Sequence, residues 1–186
     1  MTQLNSDKPQ PLSGIVEENA RAIQQLIELL DELPGDLYRQ RFGQKQQVIG
    51  KHVRHIIDHY SALLLATASP GVLLDYENRK RALVLETDRR AGRNGLAEIV
   101  AHLRNRFGAP YGGELTMRHN SAGAQQVAST SVDRELVFLA SHTIHHMALI
   151  GMLAELAGVE VSDGFGVHPS TLRYLETQAA GTVRSA

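Results

Sequence analysis

Histidine is the residue type here best suited to chemistry, and it is clustered. His52, His55 and His59 fall in one stretch and His142, His145 and His146 in another, six of the 9 histidines in the chain. On a helix turning about 100° per residue, His142 and His146 lie about 40° apart, in the sector of Leu139, Leu149 and Leu153, so both point inward. His52, His55 and His59 span about 60°, at the edge of a stripe carrying Ile56 and Leu63. Two imidazoles one helical turn apart chelate a single ion. A third from a facing helix completes a face of three nitrogens that leaves positions open for water or substrate. Burying several imidazoles costs free energy unless each has a partner, and one bound cation satisfies them together. Taken alone, a His-x-x-x-His pair is more often core histidines bonded to polar groups than a ligand pair. The second cluster decides for a divalent metal ion. Three imidazoles suit Zn, Ni, Fe and Cu alike, and Zn, Ni or Fe is the expectation.

Other metal classes fail on spacing. A zincin needs Glu directly after the first His of the pair, where this chain has Thr143. A ferritin-type di-iron site needs Glu-x-x-His on two helices, but His52, Ile56, Leu139 and Thr143 stand three before His55, His59, His142 and His146. A hemerythrin-like centre fits the pairs His55/His59 and His142/His146 but lacks obvious bridging carboxylates. Among lesser signals, Arg79-Lys80-Arg81 reads as a solvated face, with anchoring of an anionic substrate by one Arg as the alternative. Tyr76 reads as packing, and His119 and His168 as surface or loop residues. Asp58, three after His55, is either an orienting partner for an imidazole or an exposed helix acid.

The elements that must position these groups follow from periodicity. Ile15, Ala22, Ile23, Leu26, Leu29, Leu30 and Leu33 recur at three- and four-residue steps, which predicts a helix from Ser13 to about Leu33, ended by Pro34-Gly35. A second helix is expected from about Gln44 to Ala68, and a third from Arg89 to Phe107 with Leu96, Ile99, Val100, Leu103 and Phe107 as its stripe. The charged stretch from Asp75 to Thr87 reads either way. Leu115, Met117 and Val127 around Asn120-Ser121-Ala122-Gly123 predict a short β-hairpin. Thr130 and Asp133 read as a capping box opening a fourth long helix, Val132 to Ala157, with Phe138, Leu139, Leu149, Leu153 and Leu156 on one face and Gly158 as its stop. Four long helices that each must bury a stripe make an all-α antiparallel four-helix bundle, with a hairpin before the last long helix.

Composition bounds the rest. The 186 residues suit one domain, expected over residues 12–186 after a flexible segment over residues 1–11. With 19 basic against 20 acidic residues, the net charge of -1 recruits neither nucleic acid nor an anionic membrane. No apolar run reaches the ~18 residues of a membrane span, and the first residues do not read as a secretory signal, so the expected location is cytoplasmic. Without Cys, the chain has no disulfide or thiolate ligand, and any metal site must use His, Asp and Glu.

The stretch Gly50-Lys-His-Val-Arg-His-Ile-Ile-Asp-His59 and the stretch Ser141-His-Thr-Ile-His-His146 resemble the DinB/YfiT-like superfamily. The resemblance covers roughly residues 12 to 157. It implies a four-helix bundle whose metal is held by one His of the second helix and a His-x-x-x-His pair of the last long helix. The pair transfers to His142 and His146, and the single His to His55, where the His-x-x-Asp step matches, with His52 as runner-up. The tail from Phe165 to Leu172 also resembles that of bundle relatives. Where many members follow the pair with Arg-Gly-Gln, this chain has Met147-Ala148-Leu149. The resemblance implies a metal-dependent hydrolase or a thiol-dependent transferase, with a small-molecule substrate or low-molecular-weight thiol as its partner. The alternative is a non-enzymatic bundle that binds metal, or uses it structurally, and pairs as a homodimer through a helical face.

Overall fold

In the computed structural model the described residues are 12–183 without 110, 112 and 122, with side chains described through 178. The segment expected to be flexible, residues 1–11, lies outside them. Four long helices carry the core: α1 (Ser13–Glu32), α3 (Ile49–Ala66), α5 (Arg89–Phe107) and α6 (Val132–Leu156). Between and after them come α2 (Gly35–Arg39), α4 (Leu83–Thr87), α7 (Pro169–Val183) and the strands β1 (Leu74–Asp75), β2 (Leu115–Ser121) and β3 (Ala124–Thr130).

The stripes read from the sequence on α1 and α5 are largely what those two helices bury. Ile23, Leu26 and Leu30 of α1 meet Leu96, Leu103 and Phe107 of α5, all at 4% exposure or less. Each of α1 and α3 packs against both α5 and α6. On α6 the buried face runs through Leu136, Leu139, Ala140, Thr143, Met147, Ile150 and Ala154. Leu156, expected on that face, is 75% exposed, and Phe138 and Leu149 are half-buried. The helix is thus rotated from the expected sector, which brings His142 and His146 to the edge of the core, half-buried against α3.

Helix α3 starts at Ile49 rather than near Gln44. Residues 42–47 form a tight turn instead, with Phe42 and Gln47 exchanging backbone hydrogen bonds of 2.8 and 2.9 Å. Gly43 and Gln46 take the left-handed backbone (φ 62° and 52°) that this turn needs and a helix forbids. The short helix α2 begins directly after Pro34, whose fixed φ suits a helix start. The hairpin forms as β2 and β3 in antiparallel register from Leu115↔Thr130 to Ser121↔Ala124, closed at Gly123 with φ 81°. A third strand not expected from the sequence, β1, runs parallel to β2, with Leu74 opposite Met117. The capping box does not form: the N-cap of α6 is Ser131, and Thr130 donates instead to Glu135 at 2.6 Å. Gly158, in the left-handed region at φ 80°, ends α6 as expected.

One helix, Val132–Leu156, is long and apolar enough to cross a membrane by length and composition, with mean hydropathy 1.5 over an 18-residue window. The helix is not an uninterrupted apolar run, because His and Ser interrupt it. Half of that window is buried inside the protein.

A buried polar chain fixes the register of α1, α3 and α6 beneath the histidines. Asn19, fully buried, donates to the Leu136 carbonyl at 3.1 Å, Tyr60 donates to Asn19 Oδ1 at 2.6 Å, and Thr143 donates to the Tyr60 hydroxyl oxygen at 3.1 Å. Each group there leaves water, so each must find a partner. Tyr60 and Thr143 directly follow His59 and His142 in sequence, so this chain also sets the level at which the two histidine rows meet.

Candidate metal centre

His55 from α3 and His142 and His146 from α6 each offer one ring nitrogen to a group whose atoms all lie within 4.8 Å of one another. The ring centroids are 5.0 Å apart for His55 and His142, 4.4 Å for His55 and His146, and 4.6 Å for His142 and His146. Among the described residues no carboxylate belongs to this group, so the bridging acids of a hemerythrin-like centre are not supplied. His145 is exposed on the outer side of α6 and stands outside the group.

His52 lies behind His146 rather than in the group, its Nδ1 2.9 Å from His146 Nδ1. That contact leaves Nε2 of His146 free, and an imidazole bonded at one nitrogen is held in tautomer and orientation for the other. His59 is turned the other way, its Nδ1 2.8 Å from the His55 carbonyl oxygen. His55 and His142 approach through Nε2 at 2.9 Å, so one proton is shared between two nitrogens that a metal would use.

The imidazoles themselves are held neutral. Burial, then the neighbouring His59, His146, Arg79 and His142, pushes His55 down to about 2. Burial first, then His142, His52, His145 and His59, holds His146 at about 3. His59 falls to about 4, again mainly by burial. His142 and His52 are lowered as well, by burial and then by His145. All are neutral near pH 7, the form in which imidazole binds a metal.

The segment after β1 walls the site. Tyr76 stacks on His59, with centroids 5.2 Å apart and planes at 23°, and its hydroxyl donates to Glu135 Oε2 at 2.8 Å. Burial, then Glu135, raises the Tyr76 phenol, which stays protonated. Glu135 is fully buried and also accepts from Thr130 and Arg134, both at 2.6 Å. Phe138 stacks on His142 at 5.4 Å. Three residues after Tyr76, Arg79 turns inward, its Nη1 3.0 Å from His55 Nδ1 and 2.9 Å from His59 Nδ1. Lys80 and Arg81 are exposed, so the solvated-face reading holds for two of the three cations.

Asp58 fits neither reading given to it. It is buried (7% exposed) and bonds no imidazole, and its ion pair is with Arg54 at 3.6 Å. His119 is exposed beside Glu77 at 3.1 Å, and His168 lies half-buried in the loop before α7, 2.8 Å from Ser170. Glu135 was missed in the sequence, although it stands two turns before His142 and so shares its sector. Beside α3 a groove of about 1070 Å³ opens toward α5; none of the three histidines lines it, and Arg79, which does, joins it to the cluster.

The sequence model described as the DinB superfamily matches residues 18–150. Among curated proteins, FK506-binding protein 5 of Rhizopus delemar is similar: 28% identical over 122 residues, covering 64% of this chain and 32% of that protein. The chain therefore spans about a third of the length of that relative. No solved structure matches.

Proposed function

The chain belongs to the DinB superfamily, and from that premise we propose that it is a metal-dependent enzyme with a three-histidine site, the metal being divalent Zn, Ni or Fe. The observation that carries this reading is the convergence of His55, His142 and His146 nitrogens from two helices within 4.8 Å, half-buried and with the imidazoles neutral. These three residues would hold the ion, His52 would fix the ring of His146, and Tyr76 and Phe138 would keep the rings of His59 and His142 in place. The packing of α1, α3, α5 and α6 supports an antiparallel four-helix bundle as their frame. A metal held by three imidazoles supplies Lewis acidity, which polarises a carbonyl or activates a water or thiol.

The reaction class we favour is hydrolysis, with thiol-dependent transfer second. Met147, in the stretch where many members carry Arg-Gly-Gln, is fully buried in the core and offers no contact to a thiol. The groove beside α3 is of a size to take a small-molecule substrate. The proposed location is the cytoplasm. A non-enzymatic metal-binding bundle is the second reading, favoured by the way Arg79 closes one flank of the cluster.

The test is a spectroscopic titration of the Co(II)-loaded protein with azide and, separately, with a low-molecular-weight thiol. A spectrum perturbed by azide is expected. Perturbation by the thiol alone would favour the transferase, and a spectrum indifferent to both would leave the non-enzymatic bundle.

A further inference from the structure

Arg79 is a half-buried cation with no carboxylate within ion-pair distance among the described residues. Its Nε is buried without a hydrogen-bond partner, and the contacts of its Nη1 are two imidazole nitrogens. A guanidinium has five donors and no acceptor, so each such contact needs a nitrogen lone pair. At His59 that lone pair is contested, because the same Nδ1 lies 2.8 Å from the His55 carbonyl oxygen and cannot donate to it while accepting from Arg79. A charge taken out of water normally has a counter-ion in contact, whereas the acid that acts on this one, Asp58, does so only from beyond ion-pair distance and is itself paired with Arg54.

The contact with His55 is also incompatible with ligation. If His55 gives Nδ1 to a metal, Arg79 occupies that lone pair. If it gives Nε2, the neutral ring carries its proton on Nδ1, which then cannot accept from Arg79. Either way the guanidinium must leave. Tyr76 is fastened to Glu135, and the backbone N–H groups of Glu77 and Asn78 donate to Asp75 Oδ1 at 2.9 and 3.0 Å, so it is the Arg79 side chain that moves rather than the segment.

We infer that Arg79 is an anion-binding residue of this site, released from His55 when the site is loaded and then paired with the carboxylate of an organic acid bound in the adjoining groove. Arg79 already lines that groove with Lys80, Arg106 and Arg118; of the acids there, Asp75 is paired with Arg118 and Asp58 with Arg54, and Glu98 stands on the α5 side. The groove also exposes apolar side chains, Leu65 at 65% and Val72 at 38%, which suit the hydrocarbon part of such an acid. A planar guanidinium matches a carboxylate with two parallel hydrogen bonds. The inference rests on the three-histidine reading, and it makes metal and organic acid bind cooperatively.

The experiment titrates the full-length protein with Co(II), with and without hexanoate, for the wild type, Arg79→Gln and Arg79→Ala. Without hexanoate, both variants should bind cobalt about tenfold more tightly or better, because a like charge beside the ligands is gone. Hexanoate should tighten cobalt binding to the wild type and leave both variants largely unmoved. Cobalt binding that is equal or weaker in both variants, or a hexanoate effect of the same size in all three proteins, overturns the inference while leaving the metal site standing. Cobalt binding by the variants but not by the wild type supports it in its strongest form. Binding by none of them overturns the metal reading and this inference together.

Discussion

The seam between α1 and α5 and the seam between α3 and α6 are built from the same kind of helix and do different work. Between α1 and α5 the inward residues are aliphatic or aromatic, and charge stays at the rim in exposed pairs such as Glu17 with Arg104 at 2.8 Å and Asp31 with Arg93 at 3.1 Å. Between α3 and α6 the half-buried positions are His52, His55, His142 and His146, above a buried chain of Asn19, Tyr60 and Thr143. The first seam is an ordinary solution to burying two stripes. The second leaves several imidazoles neutral and close together, an arrangement that folding alone gives no reason to build. One seam carries stability, and the other carries the proposed chemistry.

The sharpest way to break that division is to exchange the losses. Leu103→Ala, in the apolar seam, should cost about 2–5 kcal/mol in urea melts yet leave metal stoichiometry unchanged in the folded protein. His142→Ala should do the reverse, losing the metal while the metal-free protein melts close to wild type. If His142→Ala unfolded the metal-free chain as Leu103→Ala does, the second seam would be structural. Next in size comes Asn19→Ala, which strands the Tyr60 hydroxyl away from water and should cost about 1–3 kcal/mol, read from the same melts.

A smaller effect distinguishes the seams by pH. His55, His146 and His59 have folded values of about 2, 3 and 4, below the ordinary value of 6.5. Above 6.5 both folded and unfolded states hold them neutral, so they carry no pH dependence there. As pH falls below 6.5 the unfolded chain takes up protons first, so the metal-free protein should lose stability progressively, the His59 part down to about 4 and the His146 and His55 parts on to about 3 and 2. His142→Ala, with its neighbours relieved, should show a shallower loss. Thermal melts at pH 7 and pH 5 measure this, and a metal-free protein equally stable at both would remove the neutral cluster from the account. Smallest of all, Arg104→Ala at the rim of the apolar seam should leave the melting temperature unchanged within error.

The long helices were legible in the sequence because an amphipathic stripe declares itself: α1, α5 and α6 start and stop within a residue of where periodicity, Pro34-Gly35 and Gly158 place them. The hairpin was legible from its alternation and its turn. The start of α3 was not, since Gln44 to Val48 continue the pattern in composition and only the left-handed Gly43 and Gln46 reveal the turn. α2, α4 and β1 are two to five residues long, too short for any period to register. The histidine rows could be read because spacing on a helix fixes direction. Arg79 could not, since nothing local tells which of three successive cations in a loop turns inward. Glu135 could have been found, as the acid standing in the same sector as His142 two turns earlier.

The central claim is that His55, His142 and His146 together hold one divalent metal ion. The most direct measurement is elemental analysis, with cobalt titration, of protein purified without a metal-affinity tag, for the wild type and for single alanine variants at His52, His55, His142, His145 and His146. The account predicts about one ion per chain in the wild type, none in the variants at 55, 142 and 146, an affinity reduced by about 10–100-fold at 52, and near-wild-type binding at 145. Full binding by His55→Ala with loss in His52→Ala, or equal loss at 142, 145 and 146, would contradict it.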